Sequence, residues 1–186
     1  MFLPHVARFL LWLGGWTSVG QAPHVHKAVL IAAPHTSNWD GFWAIVYKVH
    51  IGIDIKWFVK DTMFWFPMSI LLRSFGGIPL NRKRASSAVS EVIAAFDENE
   101  TLYFGLAPEG TRSKTRGWKS GFYRIAEGAN VPVVFGFLDY GNRRLGLGPA
   151  VTLTGDADTD MAVCELYFSS ISGRWPDKTS PVKLMR

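Results

Sequence analysis

A histidine and an aspartate stand five residues apart in the stretch APHTSNWDG, His35 and Asp40, directly after the apolar run KAVLIAA. Residues five apart on a regular helix are turned about 140° from each other at 3.6 residues per turn, so the pair would not share a helical face. The spacing suits a strand-to-helix turn instead. His35 would precede the helix and Asp40 would lie in its first turn, where free N–H groups hold a carboxylate. A carboxylate so placed accepts a hydrogen bond from one imidazole nitrogen and leaves the other open to take a proton, the orienting logic of a hydrolase triad. No serine sits in an evident nucleophile elbow, and Ser37 reads as a helix cap, so the proton would come from a substrate hydroxyl. On spacing alone the same pair also reads as a structural hydrogen bond.

A second group of polar residues fills APEGTRSKTRGWKSG. Pro108 and Gly110 form a turn, Glu109 adds a carboxylate, and Arg112, Lys114, Arg116 and Lys119 add positive charge. A glycine-bearing loop beside an arginine grips a phosphate through backbone N–H groups and a bidentate guanidinium. A solvated basic loop has the same composition. The G-x-x-x-x-G-K-[ST] spacing of a nucleotide-binding loop is absent. Arg82, in GGIPLNRKR, reads either as a second hand on the phosphate or as a solvated helix start beside Lys83 and Arg84. His24, His26, His35 and Asp40 match no known ligand spacing, so no metal is expected.

Both clusters need a frame that brings them together. KAVLIAA is a continuous apolar run ended by Pro34, as a strand covered on both faces would be. Ser37 or Asn38 caps the helix WDGFWAIVYKVH, which the Gly52 region ends. IKWFVK, the brief IPL, TLYFGLA and VPVVFGFLDY read as further strands. They alternate with a short helix around Pro67, the amphipathic RASSAVSEVIAAFDEN, and GFYRIAEGA. Gly141 and Asn142 offer a tight turn into RRLGLGPAVTLTG, and a last helix is expected over residues 162–168. The expected fold is α/β, a mainly parallel twisted sheet with flanking helices, an antiparallel C-terminal edge and a short N-terminal interfacial helix. Ligands of such sheets bind beyond the carboxyl ends of the strands, where His35, Arg82 and PEGTRS would converge.

The 186 residues suit one domain with a sizeable core. They divide into an N-terminal helix (1–22), a catalytic domain (23–172) and a loosely ordered polar tail (173–186). Eight tryptophans and thirteen phenylalanines exceed what such a core needs and imply an apolar partner. The net charge of +5 favours anionic partners. Because the aromatics lie in apolar segments and are not interleaved with the basic loop, nucleic acid is not expected among them. The lone Cys164 excludes an intramolecular disulfide and reads as a buried helix residue. Residues 9–16, from Phe9 to Trp16, are far short of the roughly 20 needed to cross a bilayer, and SVGQA is a poor cleavage site. This start therefore reads as a helix lying in the headgroup region, with the apolar residues 63–72, from Met63 to Leu72, as a second membrane contact.

These residues resemble a known family. HTSNWD matches the H-x-x-x-x-D motif of the glycerolipid acyltransferases, a family that includes the lysophosphatidic acid acyltransferases, and PEGTRS is similar to their third motif. GGIPLNR resembles the second motif, and VPVV, at Val131 to Val134, the fourth, so the likeness spans roughly residues 27–135. It implies transfer of a fatty acyl group from an acyl-coenzyme A or acyl-carrier-protein thioester to a hydroxyl of a lysophospholipid, 1-acylglycerol-3-phosphate above all, with no cofactor and no acyl-enzyme. By that likeness His35 is the general base, Asp40 orients the imidazole, and Arg82, Glu109, Gly110, Thr111 and Arg112 line the acceptor site. Lys114, Arg116 and Lys119 would then meet a phosphate or the carrier, and N–H groups of the EGTR turn would face the developing oxyanion. The enzyme would work peripherally on the cytoplasmic side of a membrane, the bacterial inner membrane. Ala107 stands where the family usually has phenylalanine, and Phe135 where a second proline is common; both departures bear on the acceptor. A lipid-binding module without catalysis and a thioester hydrolase are the competing readings.

Overall fold

The computed structural model of the chain describes residues 3–80 and 85–185. In chain order its elements are α1 (Leu3–Leu13), β1 (Thr17–Val19), β2 (Lys27–Ala33), α2 (Asn38–Ile51), β3 (Ile55–Lys60), α3 (Met68–Ser74), β4 (Gly77–Leu80), α4 (Ala85–Glu98), β5 (Leu102–Leu106), α5 (Gly121–Gly128), β6 (Val133–Asp139), β7 (Arg144–Val151) and α6 (Ala157–Phe168). Successive side chains of a strand point to opposite faces, and β2 is apolar on both. Val29, Ile31 and Ala33 enter one cluster with Phe96 of α4, Phe122 of α5 and Phe168 of α6. Ala28 and Leu30 enter another with Ala7 and Leu11 of α1 and Val46 and Tyr47 of α2. A strand with two apolar faces must be covered twice, and the result is a helix–sheet–helix sandwich.

The seven strands run in the order β1-β7-β6-β2-β5-β3-β4. All neighbours are parallel except β6 and β7, which form the expected hairpin. Buried Asp139 builds its turn, accepting the Gly141 and Asn142 amides at 3.1 and 3.3 Å. The sheet is thus mainly parallel, with the chain reversing once at its C-terminal side. β2 lies centrally, flanked by β5 and β6, so the loops after β2 and β5 leave the sheet side by side.

Three local expectations are revised. The N-terminal helix ends at Leu13, and residues 17–19 pair with β7, because Thr17 N–H meets the Arg143 carbonyl at 2.8 Å once the hairpin has formed. The last helix starts at Ala157, well before residue 162, since Asp156 caps it through the Asp158 and Thr159 amides. Residues 173–185, expected as a loose polar tail, fold back onto the domain. Ser180 is buried against Thr115, Trp118 pairs with Leu184, and Val182 and Leu184 pack on the main cluster. Arg82 lies outside the described residues.

Two other readings find their places. Cys164 is buried in α6, and burial pushes its thiol up to about 11. No described helix is long and apolar enough to cross a membrane. α1 buries Ala7 and Leu11 but exposes Leu3, Phe9, Trp12 and Leu13.

Position within these layers should decide the cost of losing an aromatic ring. Measured by urea unfolding, Phe122→Ala, fully buried, should lose about 3–5 kcal/mol. Trp12→Ser, at 71% exposure, should change stability by no more than about 0.5 kcal/mol.

Candidate active site

The loop from β2 to α2 carries the first cluster. Ser37 rather than Asn38 caps α2: its Oγ accepts the Trp39 N–H at 3.2 Å, and Asp40 returns a bond to the Ser37 N–H at 2.8 Å. That reciprocal cap fixes the Asp40 carboxylate inside the turn. The same Oδ2 accepts the Thr36 N–H at 2.8 Å and His35 Nδ1 at 3.1 Å, while Oδ1 accepts the Tyr140 hydroxyl at 2.8 Å. Asp40 has only 4% of its side chain exposed, whereas the His35 ring keeps 25% and is open to a ligand. With Nδ1–H given to Asp40, Nε2 is left as the lone-pair nitrogen, and an imidazole so held can take a proton from a hydroxyl.

Burial pushes the Asp40 carboxyl up, but the hydrogen bonds from His35, the Ser37 amide and Tyr140, with the charge of His35, bring it net below the ordinary value. Asp40 is therefore an anion at neutral pH. Tyr140 is its counterpart: burial and the bond to Asp40 keep the phenol protonated far above its usual range. Nothing in the spacing of HTSNWD signals Tyr140, which lies 100 residues away.

Glu109, brought alongside by β5, has a role the motif does not announce. Its Oε1 accepts the His35 backbone N–H at 3.0 Å, so it props the strand exit that aims the imidazole. Burial raises its carboxyl above the usual value, the bond from His35 works against this, and the neighbouring Asp40 charge adds to it. Oε2 is buried without a partner among the described residues.

The rest of the second cluster divides. The Arg112 guanidinium donates to Asn38 Oδ1 at the start of α2, and Lys119 lies over Gly110, where a Cβ would meet its chain at 3.0 Å. Lys114 and Arg116 are exposed and do not line the polar cavity described next. Of the turn amides, Gly110 N–H is engaged by the Ala107 carbonyl at 3.0 Å and is not an open donor. Those of Thr111 and Arg112 have no partner among the described residues.

Beside the dyad is a cavity of about 350 Å³ lined by Thr36, Asn38, Trp39 and Arg112, and also by Arg174, Trp175 and Lys178 of the C-terminal segment. Arg174 lies 5.8 Å from the Trp39 ring, 5.9 Å from Tyr140 and 5.7 Å from Trp175. The signal in the sequence was the pairing of Arg174 with Trp175 and Lys178 in a segment otherwise without periodicity.

A family model described as Acyltransferase matches residues 18–134, which include both loops of the site. No curated protein matches the chain. Among solved structures, the chain is similar to the crystal structure of the 1-acyl-sn-glycerophosphate (LPA) acyltransferase PlsC from Thermotoga maritima. The TM-score is 0.64 at 18% identity, covering 88% of this chain and 74% of that one.

Tyr140→Phe removes one hydrogen bond to a charged carboxylate and should cost about 1–3 kcal/mol of stability at pH 7. Asp40's native pKa lies below its unfolded value near 3.9, so this contribution is present above about pH 3.9 and is lost as the pH falls through the lower native value. Urea titrations of both proteins across that range should show the difference shrinking with acid.

Proposed function

The chain belongs to the Acyltransferase family, and on that premise we propose that it moves a fatty acyl group from an acyl-coenzyme A or acyl-carrier-protein thioester to the hydroxyl of a lysophospholipid, 1-acylglycerol-3-phosphate being the leading candidate. The observation that carries this reading is His35 Nδ1 held 3.1 Å from a buried, ionised Asp40, with the ring open at the carboxyl edge of the sheet. In the proposed step the acceptor oxygen attacks the thioester carbonyl as His35 Nε2 takes its proton. Asp40 stabilises the imidazolium, the C–S bond breaks, and the proton passes to the departing thiolate, so no acyl-enzyme and no cofactor are needed.

Oxyanion stabilisation falls in this reading to the Thr111 and Arg112 amides rather than to Gly110, whose N–H is engaged. Arg112, with Arg82, serves the acceptor phosphate. Glu109 acts on His35 through the backbone.

The apolar surface supports a peripheral position on a membrane, on the cytoplasmic side. Trp65, Phe66, Ile70 and Leu71 of the segment before and within α3 are exposed, as are Phe9, Trp12 and Leu13 of α1. Trp39 and Phe42 on α2 are exposed too, in the first turns of the helix beside the dyad. Acyl chains in the bilayer would thus lie beside the base.

Free-thiol release from palmitoyl-coenzyme A, with and without lysophosphatidic acid, tests the chemistry. His35→Ala should lower acceptor-dependent release by about 10²–10⁴-fold. Release that ignores the acceptor would make the protein a thioesterase. Release unaffected by His35→Ala would remove the general base. In flotation with anionic phospholipid vesicles, the double variant Trp12→Ser, Phe66→Ser should bind clearly less than wild type at unchanged stability, since both rings are already in water.

A further inference from the structure

Residues 172–178 form a strap across the turn that carries His35 and Asp40. Tyr140 N–H donates to the Ser172 carbonyl at 2.8 Å, and Trp175 N–H donates to Thr36 Oγ1 at 3.2 Å. Between these two anchors Gly173 is buried so closely on the turn that a Cβ there would meet the Thr36 side chain at 2.9 Å. The strap thereby becomes a wall of the cavity beside the dyad, and Arg174 and Lys178 line it together with Arg112.

Three cations from two distant parts of the sequence meet in this cavity. Arg174 and Lys178 lie against aromatic faces, with Lys178 Nζ 5.7 Å from the Trp175 ring, and Arg112 is held by the neutral Asn38. Among the described residues none of the three forms an ion pair, and Asp177, the strap's own carboxylate, is not part of the lining. The ionised Asp40 behind the turn is already met by His35, Thr36, Ser37 and Tyr140, and three cations with no direct ion pair suit a dianion with several acceptor oxygens. We propose that Arg174 and Lys178, together with Arg112, bind a phosphate group of a substrate, so that the C-terminal strap is part of the binding site.

This proposal rests on the transferase reading, in which both substrates carry phosphate: the acceptor on its glycerol, the donor on its pantetheine arm and nucleotide. It gives Arg174 and Lys178 a role like the one the sequence suggested for Lys114, Arg116 and Lys119.

The test uses the full chain with Arg174→Gln and Lys178→Gln combined, Lys178→Gln alone as a milder change at an exposed side chain, and Arg174→Lys as a charge-retaining control. Calorimetric titration with glycerol 3-phosphate and with free coenzyme A gives binding apart from catalysis. The double variant should weaken one of the two by about 10- to 100-fold, Lys178→Gln less, and Arg174→Lys least. KM for the matching substrate should rise in step while kcat stays within about threefold. Loss confined to glycerol 3-phosphate assigns the site to the acceptor, and loss confined to coenzyme A assigns it to the donor. Unchanged affinities and KM values, or a wild type that binds neither probe, would overturn the proposal, while acceptor-dependent thiol release would still uphold the transferase. Probe binding lost in the variant of a protein that transfers no acyl group would leave the phosphate site standing and remove the transferase reading.

Discussion

One buried carboxylate organises the site. Asp40 accepts hydrogen bonds from the Thr36 and Ser37 amides, from His35 Nδ1 and from the Tyr140 hydroxyl. A charge with so little exposure survives in a protein only if its lone pairs are met, and here each donor belongs to a part of the chain that must be held still. The amides fix the β2–α2 turn, the imidazole is the partly exposed ring beside it, and the phenol sits in the turn of the β6–β7 hairpin. Desolvation and hydrogen bonding oppose each other at Asp40, and the bonds prevail, which keeps it ionised and able to support a proton on His35.

Aromatic packing joins this centre to an exposed aromatic surface on α2. Tyr140 lies edge-on to Trp16 at 4.9 Å, Trp16 is 5.5 Å from Trp43, Trp43 is 5.0 Å from Phe42, and Phe42 is 5.6 Å from exposed Trp39. Residues just after α1 thus support the donor to Asp40. The surplus of tryptophan and phenylalanine in the composition therefore includes a chain of rings that runs from buried Trp16 out to exposed Phe42 and Trp39, a gradation that counting alone does not show.

What could be read in advance was local. The double-faced apolar run of β2, the cap at the start of α2 and the hairpin at Gly141 and Asn142 follow from periodicity and turn chemistry over a few residues, and the structure has all three. Contacts set by tertiary pairing could not be read. β1 is three residues long and exists because β7 offers an edge. The bond of Glu109 to the His35 amide joins two motifs that the sequence shows only as separate lines. The segment after residue 172 looked like a tail because it has no helical or strand period. Its order comes from single anchors such as Ser180 and Gly173, which carry no pattern.

The hydrogen bonds of His35 and Asp40 also differ greatly in reach along the chain. The bond between the two spans five residues, whereas those to Glu109 and Tyr140 span 74 and 100. A chain that has made only its nearest-neighbour contacts can already pair histidine with aspartate, at small loop-closure entropy. It acquires the aimed imidazole and the fully satisfied carboxylate only after β5 and the last hairpin have joined β2. The short-range bond between histidine and aspartate therefore carries no information about the sheet, whereas the complete set of bonds on the pair reports that β2, β5 and the β6–β7 hairpin are assembled.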